Sequence, residues 1–326
     1  MARLSGRPLL DTRADAALFV DRQAELDRLD RAVTEGLNVL VSGVRGVGKT
    51  SLLRHKAYGW RITGRELTVL DATALTDPAA FLAAAADAVG APSQPAGQSS
   101  AADLVVTLSQ FPNAKNGPTV LAVDGLPPAV AQAVFGQLRD ELWRAPLHWL
   151  VSCADVDEPA FLRPPADAFF DTTVRLPALP DEDVHELLRR RATVDELSDE
   201  AVKEVVALAA GVPRRAIDLA RHLLLGPGHG DAGADAVAAF RDRLIDREQA
   251  VERLSTPARM LLTELEAVGG ASASDERLLT RLGWTRARAA QVLGELERAG
   301  LVEATDEPRA SGRPRRVFQS KDWLTA

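Results

Sequence analysis

Cysteine is nearly absent: the chain has one, Cys153. A single thiol closes no internal disulfide and builds no multi-cysteine zinc site, which excludes the disulfide-stapled secreted domains and fits a reducing, cytoplasmic setting. Long apolar runs are missing too. No window approaches the ~18 consecutive apolar residues of a membrane helix. The opening MARLSGRPLLDTRADAALFV lacks the continuous apolar core of a signal peptide. The histidines (His55, His148, His185, His222, His229) show no H-x-x-x-H spacing and no pairing with cysteine, so metal ligation by side-chain clusters has no support. No fixed-period repeat is present, which argues against solenoids and propellers. Positive charge is not in excess either. The net charge is −7, so nothing global points to nucleic acid or an anionic membrane, and any such claim needs a local patch.

What is there is ordinary globular composition, 46% apolar and 26% charged, which rules out global disorder. At roughly 100–200 residues per domain, 326 residues hold two or three domains. The charge is unevenly placed: from Ser255 onward the chain carries 11 Lys and Arg against 10 Asp and Glu, so the acidity lies before it. That shift marks a domain boundary near residue 254.

Short apolar segments alternate with helical ones through the first half. NVLVSG (38–43), ELTVLDA (66–72), TVLAVDG (119–125), HWLVSC (148–153) and TTVRLP (172–177) read as strands apolar on both faces, as in a buried parallel sheet. Thr50–Gly59, Pro78–Val89, Ala129–Arg144 and Glu158–Leu162 supply crossover helices, and GAPSQPAGQSS (90–100) is a surface loop. Five strands with helical crossovers predict an α/β doubly wound domain. From Pro180 the pattern is helical throughout, with a second loop at 226–235. After residue 254 come three helices: one opened by Thr256 and Pro257, a short one over 274–283, and one capped by Thr285 and closed by Gly300. Two short strands around a Pro/Gly-rich turn follow in 301–319, which completes a winged-helix pattern. The expected domains are an α/β nucleotide-binding domain (1–178), a helical lid (179–254) and a winged helix (255–326).

GVRGVGKT (43–50) matches G-x-x-x-x-G-K-[ST], between a predicted strand and a predicted helix. Gly43, Gly46 and Gly48 let backbone N–H groups turn inward and approach phosphate unobstructed. The helix N-terminus adds its positive dipole end. Lys49 supplies a point charge for β- and γ-phosphates, and Thr50 a hydroxyl for Mg²⁺. Asp124 ends the strand TVLAVD, where a Mg²⁺-linked carboxylate belongs beside such a loop. The plainer alternative is a strand-end Asp opening a turn at Gly125.

FVDRQAELDRL (19–29), the phosphate loop, VLAVD, WLVS (149–152) and GVPRRAIDLAR (211–221) follow one another in the order seen in AAA+ ATPases. Over nearly its whole length the chain resembles the origin-initiator-like group, with related archaeal-type and STAND-type ATPases. The resemblance implies a five-stranded P-loop NTPase sheet with helices on both faces, an α-helical lid and a winged helix. It implies ATP/ADP and Mg²⁺ as cofactors. Phe19, Val20 and Arg22 then border the adenine; Val47 and Ser51 belong with the phosphate loop; and Pro213 sets the helix start that carries Arg214, the lid arginine reaching the γ-phosphate. Ser152 matches a polar sensor beside that phosphate, or else bonds local backbone. Arg163 lies where an arginine finger would reach a neighbouring subunit of an ATP-state homo-oligomer, or else is a solvated surface residue. One departure stands out. Where many such ATPases carry Glu after the strand-end Asp, this chain has Gly125. Asp71 and Asp155 are the neighbouring carboxylates able to position water; otherwise hydrolysis is slow. Cys153 and Trp149 read as core.

The wing carries Arg309, Arg313, Arg315 and Arg316 with no acid between Pro308 and Phe318, which suits double-stranded DNA. On the third helix Gln291 and Arg298 lie opposite the apolar face, with Arg288 and Glu295 flanking it. The function expected is an ATP-switched DNA-binding ATPase. The alternative is a STAND-type signalling ATPase whose winged helix contacts a protein partner.

Overall fold

A computed structural model describes residues 4–91, 99–110, 119–225, 234–268, 270–307 and 315–321. The chain divides into two units, Met1–Arg221 and His222–Ala326.

In the first unit a short helix α1 (Arg13–Ala16) and α2 (Gln23–Thr34) precede β1 (Val39–Gly43), α3 (Lys49–Ile62) and β2 (Leu67–Asp71). Next come α4 (Pro78–Val89), α5 (Ala101–Ser109), β3 (Thr119–Asp124), α6 (Pro128–Ala131), a π-helical segment (Gln132–Gln137) and α7 (Arg139–Leu142). Then follow β4 (Leu147–Ala154), α8 (Glu158–Phe161), a 3-10 turn (Ala166–Phe169) and β5 (Thr172–Arg175). Three helices, α9 (Asp181–Arg189), α10 (Asp199–Ala209) and α11 (Pro213–Leu225), succeed the sheet.

The sheet order is β2-β3-β4-β1-β5, every pairing parallel. All five strands match the predicted segments. Each central strand reads as an unbroken apolar run because both its faces are covered. The pleat sorts them: Leu121, Val123, Trp149 and Val151 join one core with Phe81, Phe135 and Phe169. Val120, Ala122, Leu150, Val39 and Val41 join the other with Leu29, Leu52 and Trp60. Each such side chain contributes roughly 1.5–3 kcal/mol by leaving water.

Two local features differ from expectation. Ala129–Arg144, expected to supply a crossover helix, is divided into α6, the π segment and α7, and Gly136 within it lies against Pro165, where a Cβ would be only 3.0 Å from the ring. Helix α5 was not foreseen. Its start is nevertheless written locally: Ser100 and Asp103 form a capping box, with Ser100 Oγ accepting from Asp103 N at 3.2 Å.

In the second unit α12 (Ala234–Glu252) is followed by α13 (Thr256–Val268), α14 (Glu276–Leu282), α15 (Arg286–Arg298), β6 (Val302–Glu307) and β7 (Arg315–Ser320). Strands β6 and β7 pair antiparallel from Val302–Ser320 to Glu307–Arg315. Three helices and a two-stranded wing are the winged helix expected. Its core joins Leu261, Leu265, Leu278, Leu293, Leu296 and Phe318. As predicted, Thr285 caps α15, its hydroxyl accepting from Arg288 N, and Gly300 turns the chain out with φ +72°. Among the described residues no helix is long and apolar enough to cross a membrane.

Candidate functional site

The loop from Gly43 to Lys49 leaves the middle of the sheet between β1 and α3. Lys49 opens α3, and its Nζ donates to the carbonyls of Gly43 (2.7 Å) and Val44 (3.1 Å), curling back over the loop. Burial holds its pKa below the ordinary lysine value. Gly46 has φ +83°, and a Cβ there would stand 2.9 Å from Arg214 Cβ. Only glycine allows that approach. Arg214 N donates in turn to Gly46 O at 3.3 Å, so the first turn of α11 rests on the phosphate loop.

Thr50 and Asp124, 74 residues apart, meet directly: Thr50 Oγ1 donates to Asp124 Oδ2 at 2.6 Å. Ser152, buried near the end of β4, donates its hydroxyl to the other oxygen, Asp124 Oδ1. Strand pairing explains the meeting, since β3 lies beside β4 and β4 beside β1. One carboxylate therefore holds two hydroxyls at the base of the loop. A carboxyl oxygen and a hydroxyl at this separation are a hard-oxygen donor set of the kind magnesium takes alongside phosphate oxygens, so the residues present fit that ion. Among the described residues no cluster of three or more His, Cys, Asp or Glu could hold a metal by itself.

Beside the loop is a cavity of 310 Å³. Phe19, Val20, Arg22, Val47, Gly48, Ser51 and Pro213 line it, all of them named from the sequence. The Phe19 ring stacks on His55, centroids 4.0 Å apart. Arg22 is buried, with φ +73°, and donates to Pro177 O (2.8 Å) and Val47 O (3.4 Å), tying the phosphate loop to the segment after β5.

Sequence reasoning missed the other wall. Residues 5–18 run along the cavity, contributing Ser5, Arg7, Leu9, Asp15 and Leu18, and Arg191 lines it too. Asp15 is 3% exposed. It accepts from Arg7 Nη1 (2.6 Å) and Leu10 N (2.6 Å), and the Arg7 guanidinium holds its carboxyl below the usual range. Arg191 donates to Leu18 O at 3.0 Å, and Arg190 to Phe19 O. Burial lowers the Arg191 pKa to about 10. The one local signal for this wall is Thr12, whose side chain caps α1 by accepting from Asp15 N.

The remaining site residues fall as follows. Arg163 is exposed on the turn after α8, and among the described residues its side chain has no hydrogen bond or ion pair. Asp155 follows β4, its backbone N donating to Gly43 O at 3.1 Å. Asp71 ends β2 in register with Asp124. Cys153 and Trp149 are core, and burial pushes the Cys153 thiol up to about 12.

In the second unit Arg288, Gln291 and Arg298 are exposed on α15, as predicted. Arg309 and Arg313 lie outside the described residues. The expectation that the wing arginines lack acidic partners is corrected for the other two. Arg315 Nε donates to Ser272 Oγ at 2.8 Å, and its Nη2 approaches Asp275 Oδ2 at 3.4 Å. Arg316 pairs with Glu297 at 2.6 Å. The acids come from the N-cap of α14 and from α15 rather than from the wing's own sequence, so local reading could not find them.

No protein-family model matches the chain, and no curated protein does. Solved structures do match. The ORC1 protein of Aeropyrum pernix, solved in complex with DNA, is 19% identical with a TM-score of 0.55, covering 93% of this chain and 89% of that one. A Walker-type ATPase of Pyrococcus abyssi is 15% identical with a TM-score of 0.52, covering 99% and 98%. Cdc6p of Pyrobaculum aerophilum is 13% identical with a TM-score of 0.51, covering 95% and 94%. The chain shares the P-loop fold of these structures.

Proposed function

We propose that this protein is an AAA+ ATPase that binds and hydrolyses ATP and uses the nucleotide state to control DNA binding by its winged helix. The single observation that carries the nucleotide reading is the meeting of Lys49, Thr50, Asp124, Ser152 and Arg214 at one phosphate loop. Those groups come from α3, β3, β4 and α11, and a core has no use for so many polar side chains at one place.

In this reading the adenine enters the cavity beside Phe19 and Val20. The triphosphate lies along the loop, whose N–H groups and helix dipole favour anions. Lys49 exchanges its carbonyl partners for phosphate oxygens. Thr50 and Asp124 would hold a magnesium ion, which would supply positive charge against the phosphate oxygens. Ser152 keeps the Asp124 carboxylate oriented. Arg214, resting on Gly46, distinguishes a nucleotide with a γ-phosphate from one without. Arg163 serves as an arginine finger toward a second copy in the ATP state.

The DNA half of the proposal rests on exposed Arg288, Gln291 and Arg298 on α15, the helix that enters the major groove in this architecture. One observation favours the second reading, a signalling ATPase whose winged helix contacts protein: Arg315 and Arg316 already have acidic partners. Nucleotide binding is tested by fluorescent-ATP titration of Lys49→Ala. Loss of affinity and of turnover with the fold retained is the expected result. Wild-type affinity and turnover together would remove Lys49 from the site.

A further inference from the structure

Residue 125 is where the resemblance leads one to expect a water-polarising acid, and it is glycine. The structure shows what stands there instead. Gly125 has φ +73°, and a Cβ built on it collides with the hydroxyl of Thr73 and comes within 3.4 Å of Thr73 Cβ. An L side chain at 125 is excluded twice, by backbone strain and by this hydroxyl.

Thr73 is held firmly. It lies just beyond β2, on a turn pinned where Ala72 N donates to Asp124 O at 2.8 Å. Its Oγ1 donates to Asp71 Oδ1 at 2.7 Å, and its N donates to the same oxygen at 3.0 Å. Asp71 is paired with Asp124 across the sheet. The hydroxyl hydrogen is therefore committed to a carboxylate, while the oxygen keeps its acceptor capacity. Thr73 is exposed, so water reaches it.

From this geometry we infer that Thr73 Oγ1, oriented by Asp71, accepts a hydrogen bond from the water that attacks ATP, taking the place of the missing acid. The inference rests on the ATPase reading above. Phosphoryl transfer through a loose transition state needs the water aligned more than it needs a strong base. The water oxygen bonds to the γ-phosphorus, and the bond to the β,γ-bridging oxygen breaks. ADP leaves with that electron pair, and the water's proton passes to a γ-phosphate oxygen, giving dihydrogen phosphate. Thr73 and Asp71 finish the step unchanged. Thr73 touches a reacting molecule; Asp71 is a positioning residue.

The test compares the unmodified chain with Thr73→Val, Thr73→Ala, Thr73→Ser and Asp71→Asn. It measures kcat, affinity for a non-hydrolysable ATP analogue, and affinity for ADP with aluminium fluoride, which reports water alignment without turnover. One neutral hydrogen bond made in the transition state corresponds to about tenfold. Thr73→Val and Thr73→Ala are expected to lose about tenfold in kcat and in aluminium-fluoride affinity, with analogue affinity unchanged. Thr73→Ser restores both. Asp71→Asn retains most of the rate, because an amide oxygen still accepts from Thr73; its collapse would make Asp71 the base and overturn the inference. Thr73→Val at the unmodified rate and aluminium-fluoride affinity also overturns it and leaves the ATPase reading standing. An unmodified chain that binds the analogue without turning ATP over defeats this inference and the hydrolysis claim, yet spares nucleotide binding. A chain that binds no nucleotide defeats the proposed function itself.

Discussion

Asp124 carries the most chemistry per atom, and replacing it with Asn separates its two roles. In the fold, the carboxylate accepts from Thr50 and Ser152. Hydrogen bonds to a charged group contribute about 1.5–3 kcal/mol each, against roughly 1 for neutral ones. Asn keeps the shape and one acceptor oxygen, and its amide can donate to whichever hydroxyl rotates. The net cost is then about 1–2 kcal/mol. For a unit of about this size, 1 kcal/mol lowers Tm by roughly 2–4 °C, so a fall of about 2–8 °C is expected. With nucleotide, the lost charge matters more. A unit charge about 4 Å from another is worth about 4 kcal/mol at an effective dielectric of ~20. Partial exposure of the site cuts this to roughly a third to a half, so magnesium should enhance ATP affinity about ten- to thirtyfold less in Asp124→Asn. Fluorescent-ATP titrations with magnesium and with chelator, alongside a thermal melt, read both effects. An enhancement equal to that of the unmodified chain would refute the magnesium role, whatever the melt shows.

Other substitutions probe separate parts of the account. Arg214→Ala should narrow the difference in hydrogen-exchange protection of 180–221 between ATP and ADP, more than it weakens ADP; undiminished discrimination removes Arg214 from the site. Arg315→Ala should lower the stability of the second unit by about 1 kcal/mol, because Ser272 and Asp275 lose a partner, while Arg288→Ala, which gives up only an exposed cation–π contact with Trp284, should cost less stability and reduce the log–log salt slope of duplex binding by roughly 0.9. The reverse pattern would return Arg315 to the DNA surface. Burial lowers the His55 pKa, so the fold disfavours its charged form. Its contribution is complete above the unfolded value of about 6.5 and is lost as pH falls through it, so His55→Phe should flatten the decline of the urea midpoint between about pH 7 and 5. An unflattened decline assigns that acid sensitivity elsewhere.

The phosphate loop was legible because its chemistry is local: glycines, lysine and threonine must be contiguous to wrap a phosphate. The strands were legible because burial on both faces leaves a run of Val and Leu that no amphipathic helix shows. Asp124 and Ser152 were legible as strand ends, although the bond between them depends on strand order. What stayed hidden depends on contacts between distant segments. Arg7 and Asp15 are eight residues apart, but their wall closes only because Arg190 and Arg191 reach back 171 to 173 residues. The wing arginines looked free because their acids lie 40 and 19 residues upstream. Gly125 was read as an absence, when Thr73 fills the space.

The central claim, that nucleotide state governs DNA binding, is tested most directly by titrating the whole chain onto duplex DNA with ATP, with ADP and with neither. Salt-sensitive binding whose affinity differs between ATP and ADP is expected, a difference that Arg214→Ala reduces. Salt-sensitive binding identical in all three states would contradict the switch. No salt-sensitive binding in any state would contradict the DNA claim as well, and would assign the winged helix to a protein partner.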